Sequence, residues 1–375
     1  MGAECIKIET LSRPTYHRTP PPPRDNPNQE VVRQGTLDEL NVNKLSAVIN
    51  LKDPDGRKLF KALVAVSDVV VENFQAGVMD RLGIGYKELR MVNPSIVMVA
   101  MSAHGATGPE RAGKGFAQIF GAMGGASYLT GYDDGPPVEL RLPSDLISGT
   151  AGCFALLAGV YHARNTGEGL FIDCASREVI MSVIGEELMD AIANQRHSNR
   201  IGNRSLGMAP HNVYRCSESD TWISIAVGNY EEWAALCNAL NHAEWLTDQQ
   251  FGDQYLRSRN QKKLDSLIEQ WTLQHTASEA MEILQESGVP AAATYTSADL
   301  LADPHLQQRG CFLTVKDQAG NPYTMMRPPW KFGKTPAVIS HRSPRIGENN
   351  DYVFSDLLGM TNAETSALVA RKVIY

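Results

Sequence analysis

The sequence predicts an α/β protein in which helices cover the faces of a parallel sheet. Short apolar strands alternate with helical segments between residues 46 and 195, a spacing typical of parallel sheets. The length of 375 residues indicates about two domains. Because 43% of the residues are hydrophobic and 21% are charged, each domain can bury a core, which excludes disordered and collagen-like classes.

The first half of the chain supplies the alternation. Residues 3–9 alternate apolar and polar side chains like a strand, and residues 10–40 follow as a surface excursion that includes a polyproline stretch at 19–24. Asp53-Pro54-Asp55-Gly56 is a typical turn and helix start. We therefore expect strands at 3–9, 46–51, 68–72, 95–102 and 171–175, and helices at 57–66, 78–90, 147–164 and 178–195.

The second half begins with a polar, glycine-rich segment at 198–210 that is typical of a domain crossing. After it we expect a strand at 221–227, an extended segment from 289, and helices at 230–240, 261–274, 278–288 and 364–372. Proline- and glycine-rich turns fill 327–347. This half predicts a smaller α/β region.

Composition excludes several classes of protein. A net charge of −7 argues against a general nucleic-acid binder. The six cysteines have no CxxC spacing, which indicates reduced thiols in a cytoplasmic protein, with neither a zinc site nor a disulfide framework. The nine histidines form no HExxH pair, so we expect no metal. We also find no apolar run of the roughly 20 residues that a membrane span needs.

Loops after two of the strands are candidates for a ligand site, because ligands bind beyond the carboxyl ends of parallel strands. These loops are 73–77 and 104–108. Basic residues at element ends suit a phosphate-bearing ligand, although each one can also belong to a solvated face. A glycine cluster at 113–125 permits close backbone approach, but it has neither GxGxxG after a strand nor a Walker lysine. The basic residues are Lys44, Lys52, Arg81 and Lys114.

Asp145 is the best single candidate for chemistry. Pro143 and Ser144 precede an apolar, helix-periodic run, so Asp145 is expected in or beside the first turn, where the helix dipole favours a carboxylate. An ionised carboxylate there can attack an activated acyl group. The alternative, that Asp145 only caps the helix, remains open. His104 and His211 are further acid–base candidates, although a lone histidine is more often structural.

Eight ordered segments along the chain match one known family. Taken together they resemble the class III coenzyme A transferases, the group of the formyl-CoA and carnitine–CoA transferases, with α-methylacyl-CoA racemase as a relative. The segments are 2–9, 43–46 running into 51–56, 67–74 through 81–83, 105–109, 135–138, 143–149, 164–169 and 288–291. The resemblance therefore covers essentially the whole chain.

The resemblance implies an enzyme that moves CoA from an acyl-CoA thioester to a carboxylic acid, with Asp145 as the acyl-accepting nucleophile. Acyl-CoA is then a substrate, and no tightly bound cofactor is implied. The implied fold is a Rossmann-like large domain, 1–195 with 328–375, plus a smaller α/β domain, 196–327, in an interlocked-ring homodimer. The implied CoA-binding residues are Ile49, Asn50, Leu51, Lys52, Asn73, Phe74, Gln75, Arg81, Lys114, Gly115, Phe116 and Ala117.

Three departures from the family pattern leave alternatives open. Members usually carry one more βα unit before the segment at 2–9, so we expect this chain to lack it. Ala117 stands where formyl-CoA transferase has an acidic residue, which disfavours oxalate or formate. Phe116 stands where the racemase has its catalytic histidine, which disfavours racemisation. The alternatives are an acyl-CoA racemase or isomerase, and a catalytically impaired acyl-CoA-binding homologue.

The acceptor acid has one weak sequence indication. Residues 202–204 through 209–214 look like the corresponding segment of transferases that act on aryl or branched dicarboxylic acids, such as benzylsuccinate. We therefore expect a carboxylic acid as the second substrate.

Overall fold

The structure is a computed structural model that describes residues 2–11, 40–316 and 320–375. These parts of the chain form a mixed α/β fold with parallel sheets. The strands are β1 (Cys5–Glu9), β2 (Lys44–Val48), β3 (Val69–Glu72), β4 (Val97–Ser102), β5 (Phe171–Ala175), β6 (His211–Arg215), β7 (Trp222–Ala226), β8 (Ala291–Ala293), β9 (Phe312–Lys316) and β10 (Pro322–Met326). The polyproline stretch predicted at 19–24 lies outside the described residues.

Helices connect and cover these strands. A 3₁₀ turn at Ala243–Thr247 and a π-helical turn at Tyr352–Leu357 add to them. The α-helices are α1 (Pro54–Ala65), α2 (Val78–Arg81), α3 (Tyr86–Val92), α4 (Ala117–Met123), α5 (Ala126–Leu129), α6 (Arg141–Thr166), α7 (Ser176–Val183), α8 (Gly185–Asn194), α9 (Tyr230–Ala239), α10 (Gln254–Arg259), α11 (Gln261–Thr272), α12 (Ala277–Glu286), α13 (Ser297–Ala302), α14 (Pro304–Gln308) and α15 (Asn362–Ala370).

The chain divides into two compact units. Of the described residues, unit 1 comprises 2–11, 40–116, 143–179, 302–316 and 320–375, and unit 2 comprises 117–142 and 180–301. Both chain ends therefore belong to unit 1. The domain limits implied by the family resemblance, 1–195 with 328–375 and 196–327, stay a prediction.

Unit 1 contains a parallel sheet in the order β3-β4-β5. Val70 pairs with Met98, and Val99 pairs with Ile172. The sequence of β4 is an unbroken apolar run because both faces of the strand are buried, Val97 and Val99 in one cluster and Met98 in another. Because the three strands run in the same direction, their carboxyl ends form one edge, which we call the carboxyl edge.

α6 covers one face of this sheet through glycines. A Cβ atom at Gly152 would lie 2.6 Å from Sδ of Met101, and one at Gly159 would lie 2.8 Å from Cγ1 of Val97. Only glycine allows the helix to come this close to the strand. Position 152 thus lies over the end of β4 and position 159 over its start, so α6 runs antiparallel to β4.

A second parallel pair, β1 with β2, also belongs to unit 1, with Ile8 beside Ala47. The C-terminal region forms hydrogen bonds with β2 of this pair. The side chains of Asn349 and Asn350 accept hydrogen bonds from the backbone N–H groups of Ser46 and Val48, each at 2.9 Å. The N-terminal strands and the C-terminal residues therefore share one hydrogen-bonded assembly.

Unit 2 contains the antiparallel sheet β6-β7-β8 and the helices packed on it. Trp233 of α9 is fully buried and stacks on the ring of Trp245, and Phe251 contacts Trp245 edge-on. The guanidinium of Arg257 lies 4.6 Å from the centre of the Trp233 ring and donates to the carbonyl oxygen of Ala209 at 2.6 Å. This core makes unit 2 a compact α/β body of its own.

The predicted elements are mostly present, with shifts at their ends. Two predicted helices are each divided in two. The segment 78–90 breaks after α2, where Gly83 has a φ of +70°, and the segment 178–195 breaks at Ile184, which has a non-helical ψ of 34°. The predicted helix 147–164 begins six residues earlier, at Arg141, because Pro143 lies within the first turn, where the missing N–H has no helical partner to lose.

Within the described residues, one helical segment is long and apolar enough to cross a membrane by length and composition. It is Pro143–Thr166, with 24 residues. The expectation of no run of that length was therefore wrong, since no Asp, Glu, Lys or Arg occurs between Asp145 and Arg164. Helices that cover a sheet meet the same test, and the glycines of this one pack on β4.

Candidate active site

The two loops expected to bind a ligand lie beyond the carboxyl edge, and the first contacts the segment that contains the second. The first follows β3, which ends at Glu72, and the second follows β4, which ends at Ser102. The side-chain amide of Gln75, in the first loop, donates a hydrogen bond to the carbonyl oxygen of Ala112, four residues after the second loop, 104–108, on the segment 103–116 that contains it. Residues that are about forty positions apart in sequence thus meet at one place, as the parallel topology requires.

Arg81 joins the first loop. Gly77 has a φ of +77°, a left-handed conformation that favours glycine, and it leads directly into the short helix α2. The backbone N–H of Arg81 donates to the carbonyl oxygen of Gly77 at 3.1 Å, and a Cβ atom at Gly77 would lie 3.2 Å from Nη1 of Arg81. The guanidinium therefore returns to the loop that carries Asn73, Phe74 and Gln75.

Lys114 lies on the segment 103–116 after β4, between two tightly packed glycines. A Cβ atom at Gly113 would lie 2.7 Å from Cδ2 of His104, and one at Gly115 would lie 2.5 Å from Cβ of Ala103. This packing holds the backbone on each side of Lys114 against the residues that follow β4. The Lys114 side chain is exposed, and Phe116 is 75% exposed. Ala117 begins α4 and belongs to unit 2.

The segment 49–52 links β2 to α1. Ile49 is only 1% exposed and belongs to the core, and Leu51 is partly buried there. Neither side chain is well placed to contact a ligand, so a contact at Ile49 would be made by backbone atoms. Arg57 donates to the carbonyl oxygen of Lys52 at 2.8 Å, and the Lys52 side chain is exposed. The amide oxygen of Asn50 accepts from the N–H of Lys52 at 3.2 Å.

Lys44 differs from the other basic candidates. It is the first residue of β2 and therefore lies at the opposite end of that strand from Lys52. Its ammonium group donates to the carbonyl oxygen of Leu40 at 2.9 Å and to Oδ1 of Asn41 at 3.2 Å. Burial lowers the pKa of the Lys44 ammonium. The contacts that bring Arg81 and Lys114 to the carboxyl edge do not include Lys44.

Asp145 overhangs the carboxyl edge. It precedes Gly152 by seven residues, as Gly152 precedes Gly159, and a spacing of seven returns to nearly the same side of a helix, with a drift of about 20°. Seven residues of helix span about 10 Å. Because α6 runs antiparallel to β4, Asp145 lies about that distance beyond the point where Gly152 meets Met101, past the end of the strand.

The environment of Asp145 is partly as expected. Its side chain is exposed, whereas its neighbours Ser144 and Ser148 are buried. The helix α6 begins at Arg141, so Asp145 is its fifth residue and lies beside the first turn rather than in it. Since the dipole effect falls off within the first turn, it contributes less to this carboxylate than we expected. For the same reason Asp145 is not the residue that caps the helix.

Comparison with known proteins identifies the family. The model of CoA-transferase family III matches residues 1–350. The chain belongs to this family. It is 31% identical to succinyl-CoA–D-citramalate CoA-transferase of Chloroflexus aurantiacus, over all of the chain and 92% of that protein. It is 28% identical to succinate–glutarate CoA-transferase of Agrobacterium fabrum, over 95% of the chain and 89% of that protein.

A solved structure agrees. The crystal structure of a CAIB/BAIF family protein from Brucella suis superimposes with a TM-score of 0.82 at 28% identity, covering 95% of the chain and 92% of that protein. The chain is accordingly a CoA-transferase, and CoA thioesters are its substrates. The family predicted from the sequence is confirmed.

Two carboxylates of this CoA-transferase shape the edge, and the sequence analysis missed both. Glu72 and Asp173 flank Ala100 in the sheet register and so face the same side. Oε2 of Glu72 accepts from the N–H of Phe74 at 2.7 Å, and both carboxylate oxygens of Asp173 accept from the N–H of Ala106, at 3.0 and 2.9 Å. These carboxylates therefore anchor the two ligand loops. An acidic residue near the end of an apolar strand was the available signal.

Burial raises the pKa of the Glu72 carboxyl, and the negative charges of Asp80 and Asp173 raise it further, against the hydrogen bond from Phe74. The side chain that shapes the first loop is therefore harder to ionise than an ordinary glutamate. This makes the loop that carries Asn73–Gln75 sensitive to the protonation of one group.

Three buried polar atoms at the carboxyl edge have no hydrogen-bond partner among the described residues. They are Oγ of Ser102, Nδ1 of His104 and Oγ of Ser148. Buried polar atoms are nearly always paired in folded proteins, so each of these three is a candidate for a role in a functional site. Ser148 lies three residues after Asp145, within one helical turn. His104 was a sequence candidate, whereas Ser102 and Ser148 were not.

Proposed function

We propose that this CoA-transferase moves CoA from an acyl-CoA thioester to a carboxylic acid through an anhydride on Asp145. An oxygen of the Asp145 carboxylate attacks the thioester carbonyl, the C–S bond breaks, and CoA leaves as a thiolate. The thiolate then attacks the aspartyl carbonyl of the anhydride, which releases the donor acid and leaves an aspartyl–CoA thioester.

The second half of the reaction repeats these steps in reverse order. The acceptor carboxylate attacks the aspartyl thioester, CoA thiolate leaves, and a new anhydride forms. The thiolate finally attacks the acyl carbonyl of that anhydride, which yields the new acyl-CoA and restores the Asp145 carboxylate. A thioester is exchanged for a thioester, so the balance needs no ATP and no redox partner.

The observation that carries this proposal is the position of Asp145. An exposed carboxylate lies on the helix that covers the sheet, on the side that faces the strand, and extends past the carboxyl edge. The loops expected to bind CoA lie beyond that same edge. A residue whose role was only to begin the helix would occupy the cap position, which is five residues earlier.

The CoA site is the second part of the proposal. Gln75, Arg81 and Lys114 are brought to the carboxyl edge by the contacts of their loops. Arginine and lysine bind phosphate through charge-assisted hydrogen bonds. CoA carries three phosphate groups and is therefore strongly negative. We propose that these residues bind CoA, with Asn73, Phe74, Lys52, Asn50, Gly115, Phe116 and Ala117 as further contacts and Ile49 and Leu51 as backbone support.

For substrates, we propose succinyl-CoA as the donor and a small dicarboxylic acid as the acceptor. The named relatives transfer CoA between succinate and D-citramalate or glutarate, which are all dicarboxylic acids. The sequence indication of a branched or aryl dicarboxylic acid points to the same class. An acceptor series from succinate to benzylsuccinate, followed by mass spectrometry of the CoA products, determines the acid.

We also propose an interlocked homodimer. α6 leaves large apolar side chains exposed on the single chain, Phe154 by 76% and Tyr161 by 75%, and α8 does the same with Ile192, by 76%. Apolar patches of this kind are typical of subunit interfaces. All six cysteines are free thiols, which supports the proposed cytoplasmic location.

The test of the proposed mechanism uses Asp145→Asn. This variant keeps the shape of the side chain but removes the nucleophilic carboxylate. We expect CoA transfer to fall by roughly 10³-fold or more, while the affinity for CoA, measured by isothermal titration calorimetry, stays within a factor of about two. The matched control is Asp68→Asn, at an exposed aspartate that precedes β3 at the end of the sheet opposite the carboxyl edge. Turnover retained in Asp145→Asn would remove Asp145 from the reaction.

A further inference from the structure

Unit 2 holds two of its loops together and displays unpaired hydrogen-bond donors on them. The N–H of Gly202 donates to the carbonyl oxygen of Gly131 at 2.9 Å, and a Cβ atom at Gly202 would lie 2.7 Å from the ring of Tyr132. Nε of Arg200 donates to the carbonyl oxygen of Tyr132, and its Nη1 donates to that of Tyr128, each at 3.2 Å. The segment 200–204 is thereby clamped onto the turn at 128–135.

Asn203 connects this clamp to the start of β6. Its side-chain amide donates to the hydroxyl of Tyr132 at 3.0 Å, and its carbonyl oxygen lies 2.6 Å from Nδ1 of His211. Because a carbonyl only accepts, Nδ1 carries the proton in that contact. The Tyr132 hydroxyl accepts from Asn203 and so keeps its own proton to donate. Tyr132, Asn203 and His211 therefore form one hydrogen-bonded chain.

Two arginines add positive charge to this chain of contacts. Arg204, the neighbour of Asn203, is half-buried, and in the described part of the structure its guanidinium makes no hydrogen bond and no ion pair within 4 Å. Arg200 uses only two of its five N–H groups on protein carbonyls. Desolvating a guanidinium that has no ion pair and no hydrogen bond is costly, so such a group is typical of a site for an anion.

The acidic side chains near the two arginines either hydrogen-bond to other residues or are exposed to solvent. The carboxylate of Asp265 accepts from the Tyr214 hydroxyl at 2.8 Å and from the Asn212 amide at 3.0 Å. Burial raises the pKa of Asp265, and these hydrogen bonds and the charge of Arg204 act against that rise. Asp133 and Asp134 are exposed on the turn. None of the three forms an ion pair within 4 Å with Arg200 or Arg204 in the described residues.

We propose that Arg204, Arg200 and the Tyr132 hydroxyl, with His211 beside them, bind the carboxylate of a dicarboxylic acid. The planar fork of an arginine matches the two oxygens of a carboxylate, and a tyrosine hydroxyl supplies a further donor. The identity of the anion rests on the proposed function, because exchange between dicarboxylic acids leaves each acid with a second carboxylate that is not activated. The site lies wholly within unit 2.

The test is a titration of the full-length protein, labelled with ¹³C and ¹⁵N in histidine, with glutarate. The ring resonance of His211 is assigned from its loss in His211→Gln. We expect a saturable shift of that resonance, weakened roughly tenfold in Arg204→Gln and Tyr132→Phe. Arg204→Lys should weaken it less, and the matched control Arg259→Gln, at an arginine on α10 that contacts the Tyr255 hydroxyl, should leave it unchanged.

Three outcomes would overturn the proposal. The first is the absence of a saturable shift with glutarate, and the second is an equal response in wild type and Arg204→Gln. The third is a shift caused by CoA but by neither dephospho-CoA nor glutarate, which would assign the site to a phosphate. Binding is measured without turnover. A site that binds glutarate while Asp145 stays unacylated would refute the proposed mechanism alone, and the reverse result would refute the carboxylate site alone.

Discussion

At the scale of single residues, Glu72 links the sheet to the loop that is proposed to bind CoA. Its Oε2 accepts the N–H of Phe74, yet burial and the charges of Asp80 and Asp173 raise its pKa. A carboxyl whose pKa is higher in the folded state than in the unfolded state stabilises the fold most at low pH. That contribution is lost as pH rises through the folded pKa.

Glu72→Gln is therefore expected to change the pH dependence of stability. The glutamine oxygen can still accept from Phe74, but it bears no charge to bury. We expect the variant to gain stability relative to wild type as pH rises from about 4, below the ordinary pKa of a glutamate, to about 7, above it. Urea unfolding at both ends of that range measures the difference. If the difference in the free energy of unfolding between the variant and wild type did not change with pH, the pKa of Glu72 would not be raised in the folded state.

Lys114 is expected to bind a phosphate of CoA. Lys114→Gln should weaken CoA binding roughly three- to tenfold, and the loss should shrink as salt is added, because the attraction between exposed charges is screened. Calorimetric titration of CoA at two salt concentrations measures this. Lys262→Gln, at an exposed lysine of unit 2, is the control for a lost charge. An equal affinity in wild type and Lys114→Gln would exclude the lysine from the site.

At the scale of elements, the placement of Asp145 depends on the contact between α6 and β4. A Cβ atom at Gly159 would come 2.8 Å from Val97, a buried and stiff β-branched residue. We expect Gly159→Ala to lower the free energy of unfolding by about 1–3 kcal/mol. Gly149→Ala is the matched control on the same helix, since nothing lies within 4 Å of its Cβ position.

The control should have the opposite sign. Alanine is the better helix former, so Gly149→Ala is expected to raise the free energy of unfolding by up to about 1 kcal/mol. Urea unfolding of both variants gives the comparison. If Gly159→Ala were as stable as Gly149→Ala, α6 would not pack on β4 in the register from which the position of Asp145 follows.

The same helix shows how far sequence reasoning reaches. The helical periodicity of α6 and the alternation of strands and helices around β4 could be predicted from the sequence, because the spacing of apolar residues indicates which face is buried. The first residue of α6 could not be predicted, since Pro143 and Ser144 are compatible both with a helix boundary and with a position in the first turn. The roles of Glu72 and Asp173 were also hidden, because register across three strands joins residues about a hundred positions apart.

At the scale of the whole molecule, the proposed homodimer has a direct test. Light scattering coupled to gel filtration is expected to give a mass of about twice 41.1 kDa. Phe154→Lys, on the exposed apolar side of α6, should lower the melting temperature of the assembly more than Met91→Lys, at a similarly exposed methionine of α3. A mass of one chain in solution would refute the dimer.

The most direct measurement of the central claim is to trap the acyl group. The full-length protein is mixed with succinyl-CoA and quenched with hydroxylamine, which converts an aspartyl anhydride or aspartyl thioester into a hydroxamate. Peptide mass spectrometry should then find the hydroxamate at Asp145 and, in Asp145→Asn, nowhere. A hydroxamate at another carboxylate, or an unmodified Asp145 while transfer proceeds, would contradict the account.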